Sequence, residues 1–285
     1  MELLKGKTVS DNIKASVEEK IASLNGDVPV LAIIRVGERP GDISYENSAT
    51  KKLSGMGIRV ISFHLPADID PDTFKNEFSA VNDDENVDGI LIMRPLPKNL
   101  KEAEQWMEMN IHPDKDVDCI GPHNLAGIMR NKDEAFAPCT AQSAIEILKG
   151  YDIDLKGKNV ALIGRSMVIG KPLSMMLLKE DATVTVCHTK TSDVTGICRN
   201  ADIIISAAGH AGIVGPEYVR QGQVIIDVGT SVDENGRLVG DVDLAAIEAA
   251  GITDIKATPV PGGVGVVTTA VLAKHVCLSK IRHMM

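Results

Sequence analysis

Lys158-Asn-Val-Ala-Leu-Ile-Gly-Arg-Ser-Met-Val-Ile-Gly-Lys-Pro172 decides the fold, because it passes from a short apolar run through a glycine-bounded turn into a segment of helical character. Val160 to Ile163 is apolar on both faces and rich in β-branching, the pattern of a strand buried in a parallel sheet. Pro172 suits the first turn of the helix that follows, and the N-terminus of such a helix is a place for phosphate. Two stock motifs fail. Gly164 and Gly170 enclose five residues, which excludes G-x-G-x-x-G, and a Walker loop needs four residues between its glycines and a Ser or Thr after the Lys, where this chain has Pro172. Taken alone, the turn fits a nucleotide site and equally the close packing of a strand on a helix.

Outward from this turn, strand-like runs at 159–163, 183–187, 202–206 and 223–228 are separated by helix-length intervals, which makes one α/β unit. A second unit precedes it. Val9, Ile13, Val17, Ile21 and Leu24 recur at steps of four and three, predicting an amphipathic helix over 8–25 stopped by Gly26. A strand follows at 28–36, a loop at 37–42, a helix at 43–56 and a strand at 58–65. Asp70-Pro-Asp72 starts a helix over 70–81, and a strand at 88–93 runs into Pro95-Leu-Pro97. After a helix at 100–110, the polar stretches Pro113–Asp118 and Pro122–Asn124 read as the connection between two lobes. A helix at 140–148 opens the second lobe, and a closing helix at 267–281 follows the interruption at Pro259–Gly265.

The 285 residues are enough for two lobes with substantial cores. A net charge of -9 argues against a nucleic-acid surface or an anionic membrane as the main partner. Five cysteines, Cys119, Cys139, Cys187, Cys198 and Cys277, are odd in number and contain no C-x-x-C pair, so they read as reduced thiols of a cytoplasmic protein, without a disulfide framework or a metal site. No run of 18 apolar residues occurs, and the N-terminus lacks the apolar core of an export signal.

In parallel sheets, ligands lie beyond the C-terminal ends of the strands, so the loops at 37–42, 94–97, 164–170, 188–191, 207–212 and 229–231 carry the functional interest. Most contain glycine, including Gly209 and Gly229, which lets backbone approach a ligand closely. After the strand at 183–187 comes His188-Thr-Lys190, without the acidic side chain that would grip a free ribose hydroxyl. Arg165, Thr189 and Lys190 suit a 2'-phosphate instead, which favours NADP over NAD.

Several segments then converge. Val36-Gly37 with Tyr45 downstream, Gly89-Ile-Leu-Ile92 before Pro95-Leu-Pro97, Lys115-Asp-Val-Asp118, Pro138-Cys-Thr140, Gly164-Arg-Ser166, Cys187-His-Thr189 and Pro259-Val-Pro-Gly-Gly-Val-Gly265 appear in order over nearly the whole chain. Together they resemble the methylenetetrahydrofolate dehydrogenase/cyclohydrolase family. The resemblance implies an N-terminal folate-site lobe over 1–139, a Rossmann-type NAD(P) lobe over 140–265, and a C-terminal helix over 266–285 returning to the first lobe. It implies a homodimer, NADP as cofactor with NAD possible, and a tetrahydrofolate derivative as substrate. Asp118 would accept hydrogen bonds from the pterin's amino edge and Tyr45 would line the folate ring, these two being the candidate catalytic residues; Ala49, Met93 and Pro261-Gly262-Gly263 would bound the same site. Gly164, Arg165, Ser166, Gly170, Thr189, Gly209, Gly229 and Thr230 would hold the cofactor, with Thr230 near the nicotinamide.

Two positions depart from the family's pattern. Where it places a catalytic Lys four residues after the Tyr, and a Gln two residues before the Pro-x-Pro loop, this chain has Ala49 and Met93. An Ala methyl cannot deprotonate water and a thioether is only a weak acceptor. The loss bears on hydrolysis of a methenyl product far more than on hydride transfer, which needs positioning and no dedicated base. Lys52, ~60° from Ala49 around a helix and ~4.5 Å further along it, and Arg94 are the cations that would have to substitute. The rival readings are an ordinary bifunctional enzyme using one of these, a catalytically silent folate or nucleotide binder, and an unrelated two-lobed Rossmann dehydrogenase. Smaller departures are Asp42 for Ser, Cys119 for Gly, Ala141 for Pro and Val266 for Pro.

Overall fold

The computed structural model describes residues 1–234 and 236–285. In chain order the elements are β1 (Glu2–Leu3), α1 (Gly6–Ala22), β2 (Val30–Val36), α2 (Pro40–Ser54), β3 (Arg59–Leu65), α3 (Pro71–Asp83), β4 (Gly89–Ile92), α4 (Lys101–Asn110), α5 (Pro122–Met129) and α6 (Cys139–Gly150). They continue with β5 (Asn159–Ile163), α7 (Gly170–Lys179), β6 (Thr183–Cys187), α8 (Val194–Asn200), β7 (Ile203–Ser206), β8 (Val224–Asp227), β9 (Ser231–Val232), β10 (Leu238–Val239), α9 (Leu244–Ala249), β11 (Lys256–Ala257) and α10 (Val264–His283). The chain divides into one unit of Asp11–Cys139 with Thr269–Met285, and another of Met1–Ser10 with Thr140–Thr268.

In the first unit a parallel sheet of order β3-β2-β4 puts β2 at the centre, and every residue of β2 is buried. Phe74 and Phe78 of α3 and Met107 of α4 pack with Ile34, Ile90 and Ile92 to form the core. Asp70 caps α3, its Oδ1 accepting from the Asp72 and Thr73 amides, as the Asp-Pro-Asp signal predicts. The helix expected at 43–56 begins earlier, because Pro40 supplies its first turn from within what reads as a loop. The polar stretch expected to connect two lobes instead belongs to this unit and carries α5. Asp116 is buried, its carboxylate accepting from the Ile120 and Gly121 amides and the Asn124 amide nitrogen, and Asn124 Oδ1 accepts from Phe136 N. These bonds satisfy the polar groups internally, which is how so hydrophilic a segment is held against a core.

The C-terminal part of α10 closes the same unit. Ser279 donates to Asp88 O at 2.6 Å, His275 Nδ1 lies 2.8 Å from Val117 O, and the Arg282 guanidinium stacks 4.3 Å over Phe136. By length and composition alone Val264–His283 would span a membrane, yet 61% of its most apolar window is buried within the protein.

The second unit is a six-stranded parallel sheet, β1-β11-β8-β7-β5-β6. The four strands read from the sequence are its middle and one edge. The other edge comes from β11 and from the chain's first residues, which the sequence boundary keeps with the first lobe: two-residue β1 leaves no pattern, and pairing Leu3 with Ala257 is what draws it here. From β5 the sheet proceeds to β6 on one side and to β7 on the other. The loops after β5 and β7 therefore flank a crevice at the point where strand order reverses.

Candidate functional site

At that crevice the two glycines of the opening stretch are required by packing. Gly164 has φ +123°, and a Cβ there would meet Ala207 O at 2.5 Å; a Cβ at Gly170 would meet Gly164 O at 2.3 Å. Backbone thus crosses backbone with no room for side chains, and the turn stays open on its outer side, where Arg165 and Ser166 are exposed. Ser166 Oγ accepts from the Ile169 amide at 3.1 Å and lies 3.5 Å from that of Gly170, which builds the start of α7. Thr189 and Lys190 are exposed after β6, in a loop pinned by His188 N donating to Thr191 Oγ1 at 3.0 Å. These residues fit a dinucleotide: a cradle that a Cβ would fill, a helix N-terminus, and cations suited to phosphate.

Gly209 has φ +68°, and its loop is held from beneath. Asp241 Oδ2 accepts from Ser206 Oγ (2.8 Å), Ala208 N (2.7 Å) and Gly209 N (3.2 Å), and its Oδ1 from His210 N (2.9 Å). Asp227 Oδ1 in turn accepts from Gly229 N at 3.0 Å and Asp241 N at 3.1 Å, and its Oδ2 from Val242 N at 2.9 Å. Burial, with the Asp241 charge adding to it, pushes the Asp227 carboxyl up to about 6. Thr230 is exposed beside this pair. Pro261, Gly262 and Gly263 also belong to this unit, at the head of α10. Gly262 O accepts from Gly6 N at 2.8 Å, and a Cβ on Gly263 would lie 2.6 Å from Pro259 O.

In the other unit, Lys115-Asp-Val-Asp118 sorts into scaffold and site. Lys115 is buried and its ammonium donates to Asn82 O at 2.6 Å and Asp84 O at 2.8 Å; Asp116 builds the following turn. Asp118 is half-buried, fixed by accepting from Cys139 N at 2.9 Å. Burial raises its carboxyl above the ordinary range, against the pull of the Cys139 amide and the Arg94 charge. Cys119 holds φ 55°, a conformation that costs a side-chain-bearing residue and explains why the family's pattern has Gly there. Although 39% of Tyr45 is exposed, its phenol is pushed up strongly, by desolvation first and then by the neighbouring Cys139 and Asp118 side chains, so it remains a hydroxyl at working pH. The structure therefore brings Tyr45, Asp118 and Cys139 within electrostatic reach of one another, and Cys139, marked in the sequence only as part of Pro138-Cys-Thr140 and with no role assigned to it, is the group that orients Asp118.

Ala49 and Met93 are apolar and almost fully buried, 1% and 7% exposed. Ala49 shares the inner face of α2 with Glu46 and Leu53, while Lys51 and Lys52 are exposed. Arg94, expected to be an uncommitted cation, is paired: its Nη1 lies 3.1 Å from Glu108 Oε1 on α4. Arg35 and Glu46 form a buried ion pair at 2.8 Å, with His64 Nε2 2.7 Å from the other Glu46 oxygen. The pair ties α2, and with it Tyr45, to strands β2 and β3. His112, Asp114 and His283 bring donor atoms within 4.8 Å of one another, but Arg282 lies 3.6 Å from Asp114, and Lys280 3.9 Å from the Asp88 carboxylate behind His283, a cationic setting that disfavours a metal ion.

A parallel sheet with a reversal of strand order and a glycine-crossed crevice, together with a second parallel α/β unit with its own polar cluster, defines a two-unit α/β protein of the dinucleotide-binding class. Residues 138–284 match the family model described as tetrahydrofolate dehydrogenase/cyclohydrolase, NAD(P)-binding domain, and residues 4–118 match its catalytic domain. The chain belongs to the tetrahydrofolate dehydrogenase/cyclohydrolase family. It is 47% identical to the bifunctional protein FolD of Clostridioides difficile, over 96% of this chain and 95% of the relative. Among solved structures it is similar to the bifunctional FolD of Campylobacter jejuni, with TM-score 0.93, 36% identity and 99% of each chain covered. It is also similar to the Trypanosoma brucei methylenetetrahydrofolate dehydrogenase-cyclohydrolase complexed with NADP and inhibitor, with TM-score 0.90, 33% identity, and 99% of this chain and 98% of that one covered.

Proposed function

We propose that this chain oxidises 5,10-methylenetetrahydrofolate to the 5,10-methenyl cation with NADP, and hydrolyses that cation slowly or not at all. One observation carries the second half: Ala49 and Met93 put two buried apolar side chains where the family's pattern has Lys and Gln. The bound dinucleotide supplies the hydride acceptor. Hydride leaves the methylene carbon pushed by the neighbouring nitrogen lone pair, so the protein's part is to orient the folate and keep water out. Asp118, anchored by Cys139, accepts from the pterin's amino edge, and Tyr45 walls the ring and offers a hydroxyl; its raised pKa makes it no base.

Hydrolysis needs more. Water attacking the cationic carbon must lose a proton as it adds, and a positioned base supplies ~10²–10⁴ in rate. Arg94 is held by Glu108, and Lys52 is a solvated charge. Neither replaces the missing amine. The bifunctional naming of the relatives makes the contrast testable in one cuvette series: nicotinamide reduction is followed in one assay and decay of supplied methenyltetrahydrofolate in another. Enzyme-dependent decay as fast as reduction would overturn the monofunctional reading. We assign NADP over NAD from Arg165, Thr189 and Lys190, and the comparison of KM for the two dinucleotides tests it. The chain is further proposed to act in the cytoplasm, consistent with five cysteines of which none forms a disulfide, and as a homodimer, which light scattering at about twice 30.4 kDa would support.

A further inference from the structure

The loop after β7 carries three successive backbone N–H groups, of Ala208, Gly209 and His210, all turned toward one carboxylate, that of Asp241. Successive amides converging in this way form a nest, a concavity that binds anions, phosphate among them. Here the protein fills the nest itself. Asp241 is fully buried and also receives Ser206 Oγ at 2.8 Å. Its own backbone is fixed by Asp227, whose Oδ2 accepts from Val242 N and whose Oδ1 accepts from Asp241 N and from Gly229 N in the loop after β8. Gly229 can pass only because it lacks a side chain: a Cβ there would lie 2.0 Å from the Asp241 carboxylate. Thr258 Oγ1 accepts from Asp227 N at 2.7 Å and completes the base of the assembly. Two strand-end loops are thus bound to one pair of carboxylates, and neither carboxylate reaches the outer surface.

We propose that Asp241 is a positioning residue for the dinucleotide, which sets the Ala208–His210 turn and, by occupying its amide nest, keeps phosphate out of it. The phosphates are left to the Gly164–Gly170 turn, and the loops at Gly209 and Gly229 receive the nicotinamide end of the cofactor, which carries no phosphate. This rests on the functional reading given above, since it takes those loops as cofactor loops.

Asp241→Asn tests it while keeping the side chain's size. The carboxamide has a single acceptor oxygen, so its NH2 must face either His210 N or the group formed by Ser206, Ala208 and Gly209, and part of the turn is repelled. With circular dichroism unchanged, KM and Kd for NADP should rise roughly ten-fold while KM for the folate stays within about two-fold, a split that a general loss of folded enzyme would not produce. Asp241→Ala should empty the nest, and inorganic phosphate should then compete with NADP at concentrations that leave the wild type unaffected. If Asp241→Asn does not fold, Ser206→Ala, which removes one donor only, should raise KM for NADP roughly five-fold with the folate KM unchanged. A folded Asp241→Asn, or failing that Ser206→Ala, that binds NADP as the wild type does would overturn the assignment of Asp241 alone. Wild-type protein that binds neither nicotinamide dinucleotide by calorimetry would overturn the functional reading, and this inference with it.

Discussion

Replacing Ala49 by Lys and Met93 by Gln should install rapid hydrolysis of methenyltetrahydrofolate in a protein proposed above to carry it out slowly or not at all. Ala49 is 1% exposed on the inner face of α2, one turn beyond Tyr45, so a Lys there projects from the same part of the helix into the folate site proposed above. The added side chain overpacks a filled position at a cost of ~1–3 kcal/mol, and an amide at position 93 that lacks a partner costs ~1–3 kcal/mol more. A domain of ordinary stability, about 5–15 kcal/mol, tolerates that. Burial lowers a lysine's pKa, which is the useful direction: a fraction of the amine becomes neutral near pH 7 and can take water's proton. The gain expected in hydrolysis is ~10²–10⁴, with nicotinamide reduction changed by less than about ten-fold. Decay of the methenyl absorbance reads the first and the absorbance of reduced nicotinamide the second, with urea unfolding as the control for integrity. A folded double variant that keeps dehydrogenase activity and gains no hydrolysis would refute the assignment of these two positions.

Three other outcomes are expected. Gly164→Ala should destabilise the second unit by more than ~1–2 kcal/mol and raise KM for NADP, since φ +123° and an oxygen 2.5 Å from the new Cβ leave no relaxed geometry; thermal melting and cofactor titration check this. Asp118 is raised by burial, so its acceptor form is lost as pH falls through a value above the usual carboxylate range; KM for the folate should climb there, and Asp118→Asn should show the higher KM at every pH. Asp116 and Asp227, both raised to about 6, hold protons in the folded state that the unfolded chain releases nearer 4. Between those values folded protein binds more protons, so these two groups make stability fall as pH rises from about 4 to about 6, with no further contribution above. The urea midpoint should show that negative slope, and Asp227→Asn should flatten it.

The alternation of strands and helices was legible because buried parallel strands are short apolar runs and the helices carry caps such as Asp70 and Pro172. What pattern could not reveal were elements whose stability is tertiary. β1 is two residues long and exists only through β11, and α5 is hidden in a polar stretch whose hydrophilic groups, Asp116 and Asn124, bond each other instead of water. The cradle glycines Gly164 and Gly170 were readable from spacing, and Asp118 from its motif. Asp241 was not, because a carboxylate that supports a loop from below looks in sequence like any acidic turn residue, and its partners at 206, 208, 209 and 210 lie more than thirty positions away. The pairing of Arg94 is equally invisible in sequence, because its partner Glu108 is brought to it by how α4 packs, not by proximity in the chain.

The division of the chain bears on how it is made. Each unit is completed by residues from the far end of the sequence: the first ten residues finish a sheet whose other strands begin after 150, and the last seventeen close a core that begins at residue 11. Domains commonly fold in order as they leave the ribosome. Here neither can finish early, because the first waits for Thr269–Met285 and the second for β11 and the start of α10. Each unit therefore depends on a segment translated far from the rest of it, and removing the strand Glu2–Leu3 should damage the unit encoded mostly after residue 140.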